Sequence, residues 1–329
     1  MKRRTFVKTG SLAGLALGTL GFSACTNSSS NKNTSEESEP VIDPVFFKFS
    51  LAQWSLHKLY NDQGGDPMDF AKHSKELGFE GLEYVNQLYD RYYKDESNTL
   101  ASVKKLTTNL KNRATEHDMK SVLIMVDNEG DLGVQNEKER LIAVENHKKW
   151  IDSIKELGGY SIRLNIFGEG SREAQAVASS DSLRRLGEYA KDMNINVLVE
   201  NHGHLSSDPN WLVEVMKNVN MPNVGTLPDF GNWCMKRPEG VRWGECLEEY
   251  PDYVEGVKKL MPFAKAISAK SYEFNAEGGQ DKIDYFKIIK VVKEAGYKGF
   301  IGVEYEGESD ERAGILATKE LLIKAAKAI

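Results

Sequence analysis

The 329-residue sequence has little of what builds zinc fingers, disulfide frameworks or nucleic-acid surfaces. It carries three cysteines, Cys25, Cys234 and Cys246, and their spacing matches no zinc motif. The last two are free to pair in an oxidising compartment, yet two cysteines in so large a region make no framework. Beyond the first residues no block of Lys or Arg stands out, and the formal net charge is −6. That balance argues against nucleic acid and anionic membrane surfaces as partners. No Gly-x-Gly-x-x-Gly follows the first strand-like run, which weighs against an open dinucleotide-binding sheet. Long apolar runs are also missing. The stretch from Leu12 to Phe22 is broken by Gly14, Gly18 and Gly21 and falls short of the about 20 residues a membrane span needs.

Residues 1–25 read instead as an export signal. Lys2-Arg3-Arg4-Thr5-Phe6-Val7-Lys8 is a basic start with a twin-arginine pair, a route that carries folded proteins. Phe22-Ser23-Ala24-Cys25 has the form of a lipoprotein box, so Cys25 is the expected lipidation site. Cleavage by an ordinary signal peptidase near the same small residues is the alternative. The protein is therefore expected in the periplasm or as a membrane-anchored lipoprotein, touching the membrane only through its N-terminal lipid. Residues 26–44 form the expected tether: Thr26 to Pro40 is rich in Ser, Asn and Glu and lacks apolar periodicity.

Residues 45–329 suit one large α/β domain. Apolar runs recur at Phe46–Ala52, Gly81–Val85, Ser121–Val126, Ser161–Ile166, Val197–Val199, Val224–Leu227, Ala266–Ala269 and Phe300–Val303. Helix-like stretches separate them. Pro67, Asp208-Pro209 and Asp281 are expected helix starts, and Gly78, Gly158 and Gly296 expected ends. Strict alternation of strand and helix implies parallel strands with crossover helices. About eight such units in this length predict a single (β/α)8 TIM barrel, an α/β fold.

Active sites of such barrels lie at the C-terminal strand ends. There the chain offers Gln53-Trp54-Ser55-Leu56-His57, Glu83, Asp127-Asn128, Arg163 and Asn165, Glu200-Asn201-His202, Asp229-Phe230-Gly231-Asn232-Trp233, Ser268 and Lys270, and Glu304-Tyr305-Glu306. An acid at the end of an apolar strand is costly to bury alone, and a single one is as well read as a helix cap. Glu200, Asp229 and Glu304 each follow directly on an apolar run, and converging carboxylates repel unless a proton or cation lies between them. A divalent metal, Mn²⁺, Mg²⁺ or Zn²⁺, is the simplest resolution. His73, His117 and His147 fall in helical stretches and are expected at the surface, whereas His57 and His204 belong to loops.

Glu200-Asn201-His202, Asp229-Phe230-Gly231-Asn232 and Val303-Glu304-Tyr305-Glu306-Gly307 resemble the xylose-isomerase-like barrels across essentially the whole domain. That group includes sugar phosphate isomerases/epimerases, ketose 3-epimerases, inosose dehydratases and endonuclease IV-type repair enzymes. The resemblance implies a metal held by Glu200, Asp229 and Glu304. Its usual histidine on strand seven is Ser268 here, a poor ligand, so His202, water or Lys270 would have to make up the charge or coordination. It further implies that Glu200 and Glu304 move protons beside a carbonyl, with Glu83, Arg163, His202, Lys270, Trp54 and Trp233 holding a small carbohydrate. The expected function is isomerisation or epimerisation of a sugar, keto-sugar or cyclitol. A non-catalytic carbohydrate-binding barrel, a sugar lyase or dehydratase, and a glycosidase are the alternatives. Glycosidase barrels commonly place their carboxylates after strands four and seven, where this chain has Asn165 and Lys270.

Overall fold

A computed structural model describes residues 45–94 and 98–329. The signal, Cys25 and the tether lie outside the described residues. Eight parallel strands form the centre: β1 (Lys48–Ala52), β2 (Gly81–Val85), β3 (Lys120–Val126), β4 (Ser161–Leu164), β5 (Asn196–Glu200), β6 (Val224–Leu227), β7 (Ile267–Ser271) and β8 (Phe300–Tyr305). Hydrogen bonding runs in the order β6-β5-β4-β3-β2-β1-β8-β7. Bridges Thr226–Ala264 and Asp229–Ser268 join the two ends, so the sheet curls closed into a (β/α)8 barrel. The strand-like runs of the sequence coincide with these strands to within about two residues at most ends. They are legible because parallel strands are buried on both faces and so read as unbroken apolar stretches.

Nine helices are described: α1 (His57–Asn61), α2 (Phe70–Glu76), α3 (Thr99–Glu116), α4 (Glu137–Leu157), α5 (Arg172–Lys191), α6 (Pro209–Val219), α7 (Tyr253–Leu260), α8 (Tyr285–Glu294) and α9 (Glu311–Lys327). Asp208 caps α6 by accepting from the Asn210 amide at 2.9 Å, with Pro209 in the first turn. α4 closes on Gly158 at φ 80°, a left-handed position that favours glycine. Asp281 does not start α8; Asp284 does, accepting from the Lys287 amide at 3.0 Å. His147 is also a correction. It lies on the inward face of α4 with Val144, Ile151 and Ile154, is 2% exposed, and its Nδ1 is 2.7 Å from the Ala143 carbonyl. Helical spacing places all four on one stripe, so the signal was there. No described helix is long and apolar enough to cross a membrane.

One further hairpin, Cys234–Lys236 paired with Glu248–Glu249, projects from the loop after β6 and is closed by a Cys234–Cys246 disulfide. The register of the barrel then fixes what meets at its mouth. Lys270 pairs with Glu304, and Ser268 pairs with Gly302 on one side and Asp229 on the other. Paired residues of neighbouring strands share a face, so these side chains point into the barrel at adjoining heights.

Candidate active site

Glu200 ends β5, Asp229 follows β6 and Glu304 lies in β8. Each offers a carboxylate oxygen, and the three oxygens lie within 4.8 Å of one another, with the residues at most 3% exposed. His202 is not a member of this cluster. Ser268, where the resemblance implies a histidine, puts its Oγ 2.6 Å from Asp229 Oδ2 and 2.8 Å from Glu304 Oε2. A hydroxyl has one proton to donate, so it cannot satisfy two carboxylates at once. One of the pair must be protonated, or a cation must be bound nearby.

The surrounding cations compensate unevenly. Lys270, with no exposure, sits 2.9 Å from Glu304 Oε1 and 2.8 Å from Glu306 Oε1. Arg163 Nη1 donates to Asp127 Oδ1 at 2.9 Å. Its Nε is 2.7 Å from Glu200 Oε2, but off line, so neither atom completes a hydrogen bond. Asp229 has no ion-pair partner among the described residues; its Oδ1 accepts from the Gly231 and Asn232 amides, both at 2.8 Å. A buried oxygen without a donor, and a buried acid without a cation, are each expensive. The all-oxygen pocket thus has the donor chemistry of a hard divalent cation site.

The same neighbours divide the proton affinities. Burial pushes the Glu200 carboxyl well above the usual range despite Arg163. Burial also raises Asp229, to about 7, against the pull of Lys270. For Glu304 burial is the largest single effect, but Lys270, Arg163 and the Ser268 hydroxyl together outweigh it, and the group is held below its ordinary value. Lys270 is itself raised: burial opposes its charge, but Glu304, Glu306 and Asp229 prevail. With no cation bound, Asp229 is thus the member of the pair better placed to hold the proton, which would let it donate to Oγ while Oγ donates to Glu304.

A second chain of contacts leads outward. Asn165 Nδ2 donates to Asp127 Oδ1 at 2.7 Å, which turns its Oδ1 to His202 Nδ1 at 2.8 Å. Because an amide oxygen only accepts, Nδ1 carries the hydrogen and Nε2 is left as an acceptor. Burial first, and then Arg163, lower the His202 pKa to about 3, so the ring stays neutral. These groups border a cavity of about 610 Å³ lined by Trp54, Arg163, Asn165, His202, Trp243 and Glu304 among others.

The expected residues are thus sorted by the structure. Glu200, Asp229 and Glu304 come together, and Arg163, His202 and Trp54 border the cavity beside them. Glu83 does not line it. It lies inside the barrel, accepting from Ser50 Oγ at 2.6 Å, with burial raising its carboxyl to about 8, which corrects its reading as a hydroxyl-holding group. Lys270, like Glu200 and Asp229, does not itself line the cavity, and it is committed to Glu304 and Glu306. Trp233 borders the cavity but is 1% exposed and packs against Tyr250, Tyr253 and Gly256 of α7, so its ring offers no open face for a sugar. The open indole belongs to Trp243, 48% exposed, which the sequence did not single out, while Asn165, Asn201 and Asn232, named only among the strand-end residues, take structural roles in the site. Asn201 holds the strand ends together, donating to the Asp229 carbonyl at 3.0 Å and accepting from its amide at 2.7 Å. Asn232 donates to Glu200 Oε1 at 3.0 Å.

Fold and site together define a (β/α)8 barrel with a buried carboxylate cluster at its C-terminal mouth. The chain belongs to the xylose isomerase-like TIM barrel family, whose sequence pattern matches residues 71–325. No curated protein sequence matches it. Among solved structures it is similar to an E. coli 3-keto-D-glucoside 4-epimerase, at 15% identity and TM-score 0.62, over 84% of this chain and 98% of that one. An L-ribulose 3-epimerase gives 12% identity and TM-score 0.63, over 86% and 96%. A barrel protein from Mycobacterium smegmatis in complex with magnesium gives 16% identity and TM-score 0.60, over 86% and 97%. At these identities the likeness is one of fold.

Proposed function

We propose that the protein is an isomerase or epimerase of a sugar, keto-sugar or cyclitol that moves a proton at a carbon beside a carbonyl. One observation carries this reading. Glu200 and Glu304 converge at the mouth while burial and Lys270 displace their proton affinities in opposite directions. Opposed carboxyls are what a paired acid and base require. Glu304, ionised and bordering the cavity, takes the proton from carbon. Glu200 delivers one to the opposite face or to the neighbouring carbon. His202 accepts a substrate hydroxyl through Nε2, while Arg163 and Asn232 hold Glu200 in place. A divalent cation, when bound by Glu200, Asp229 and Glu304, supplies polarisation of the substrate carbonyl. The donor set, with a serine hydroxyl and no imidazole, favours Mg²⁺ or Mn²⁺ over Zn²⁺. The names of the epimerase neighbours support the same reaction class.

We also place the protein outside the cytoplasm, with Cys25 as the acylated residue of the mature chain. The Cys234–Cys246 disulfide supports an oxidising compartment. The activity is tested by incubating the purified protein and Mg²⁺ with a panel of ketoses, aldoses and inososes, then resolving products by mass and NMR. A product of unchanged mass and altered stereochemistry or carbonyl position is expected. Loss of water or cleavage of a glycosidic bond would contradict it in favour of a dehydratase or glycosidase, and no turnover would favour a binding barrel.

A further inference from the structure

The segment after β6 leaves the barrel wall and returns across the mouth. Its root is fixed by Trp233, packed between Tyr250 and Tyr253, and by the Tyr250 amide donating to the Trp233 carbonyl at 2.8 Å. Its middle is closed by the Cys234–Cys246 disulfide across a separation of 12 residues, and by the short hairpin. Its tip is latched to other loops. Arg242 Nη2 lies 2.6 Å from Asp131 Oδ2, beyond β3, and the guanidinium sits 4.5 Å from the centre of the Phe167 ring, beyond β4. Trp243 follows, 5.5 Å from the Phe167 ring and 4.7 Å from the His202 ring, centre to centre.

Exposure rises along this line. Glu200 is 1% exposed, His202 two residues on is half-buried, and Trp243 beyond it is 48% exposed while still lining the cavity. The indole, placed by a disulfide-closed segment, an ion pair and its contacts with Phe167 and His202, keeps nearly half its surface open at the cavity mouth. Holding it there lowers the entropy cost of stacking a ligand on it. The space is also generous. A single hexose fills roughly 200 Å³, about seven water volumes of about 30 Å³ each. The cavity of about 610 Å³ has room for a second ring outside the first.

We propose that residues 234–249 are a disulfide-pinned strap that adds an outer subsite, in which Trp243 stacks on a second sugar unit. The preferred substrate is then a disaccharide or other glycoside, its inner ring at the carboxylates and its outer ring on Trp243. The subsite rests on the carbohydrate reading of the inner site and narrows its substrate class. Trp243 acts on specificity, with Arg242 and Asp131 positioning it.

The test is calorimetric binding to the full chain, with Mg²⁺ present, of D-glucose, D-galactose and D-xylose beside maltose, cellobiose and lactose. At least one two-ring sugar is expected to bind about tenfold more tightly than its one-ring component. Trp243→Ala removes that advantage by weakening two-ring binding far more than one-ring binding; Cys234→Ser with Cys246→Ser, or reduction of the parent by a phosphine, lowers it in the same direction. Circular dichroism confirms that each variant is folded. Equal binding of both size classes by the parent, equal weakening of both by Trp243→Ala, or binding of neither class overturns the subsite. Proton exchange on a one-ring sugar without any two-ring preference overturns the subsite alone. A two-ring preference without proton exchange overturns only the isomerase reading.

Discussion

Ser268 and His147 show how one residue's surroundings decide its chemistry. Ser268 stands between two carboxylates with a single proton to give, and this forces Asp229 toward its neutral form or a cation into the pocket. His147 is forced the other way. Burial lowers its pKa below the ordinary 6.5, so the folded chain refuses a proton that the unfolded chain accepts. Its contribution to stability is present above pH 6.5 and is lost as pH falls below that value. The raised Glu83, Glu200 and Asp229 carboxyls act in the opposite sense over the same window, so the histidine is read as a difference. Going from pH 7.5 to pH 5.5, the urea midpoint of His147→Gln, which can still donate to the Ala143 carbonyl, is expected to change more favourably than that of the parent. Identical changes in the two proteins would contradict a contribution from His147.

Strand register makes the site, and the clearest case is Gly302 of β8 and Glu83 of β2, which meet from either side of β1. Gly302 leaves room for the Glu83 carboxylate, and a Cβ at that position falls inside van der Waals contact with it. Gly302→Ala is therefore expected to destabilise the barrel by about 1–3 kcal/mol. Adding Glu83→Ala should recover part of the loss, a coupling that urea denaturation of the two single variants and the double variant would measure. Strictly additive losses would contradict the contact. Register also marks how far the sequence could be read. Glu200, Asp229 and Glu304 were legible because an acid directly after an apolar run is conspicuous on each strand taken alone. The members of the Asp127–Asn165–His202 relay were visible as strand-end residues, but the relay joins three strands, and its contacts follow only once the pairing is known. Glu83 failed for the same reason: both faces of a barrel strand are buried, so sequence gives its strand and not its height. Trp233 and Trp243 are both tryptophans after β6, and only the strap's path separates the packed ring from the open one.

At the scale of the whole molecule, the barrel closes around more acid than base at its mouth. Arg163 and Lys270 engage four carboxylates, those of Asp127, Glu200, Glu304 and Glu306, while Asp229 has neither. Binding of a divalent cation to the folded state alone then stabilises the entire fold, by about 2.7 kcal/mol at a hundred times its Kd. Mg²⁺ or Mn²⁺ is expected to raise Tm by several degrees over the protein in chelator, and Asp229→Asn to reduce that rise. An identical Tm with metal and with chelator would contradict a cation site and leave the charge balance to protons.

The central claim is that Glu304 takes a proton from carbon at this mouth. The most direct measurement is NMR of deuterium entering a carbon-bound position of the accepted sugar in D₂O, with the parent beside Glu304→Gln. The account predicts incorporation at the carbon next to the carbonyl by the parent, slowed by about a hundredfold or more in Glu304→Gln. Incorporation at an undiminished rate in the variant, or conversion of the sugar with no deuterium at carbon, would contradict it.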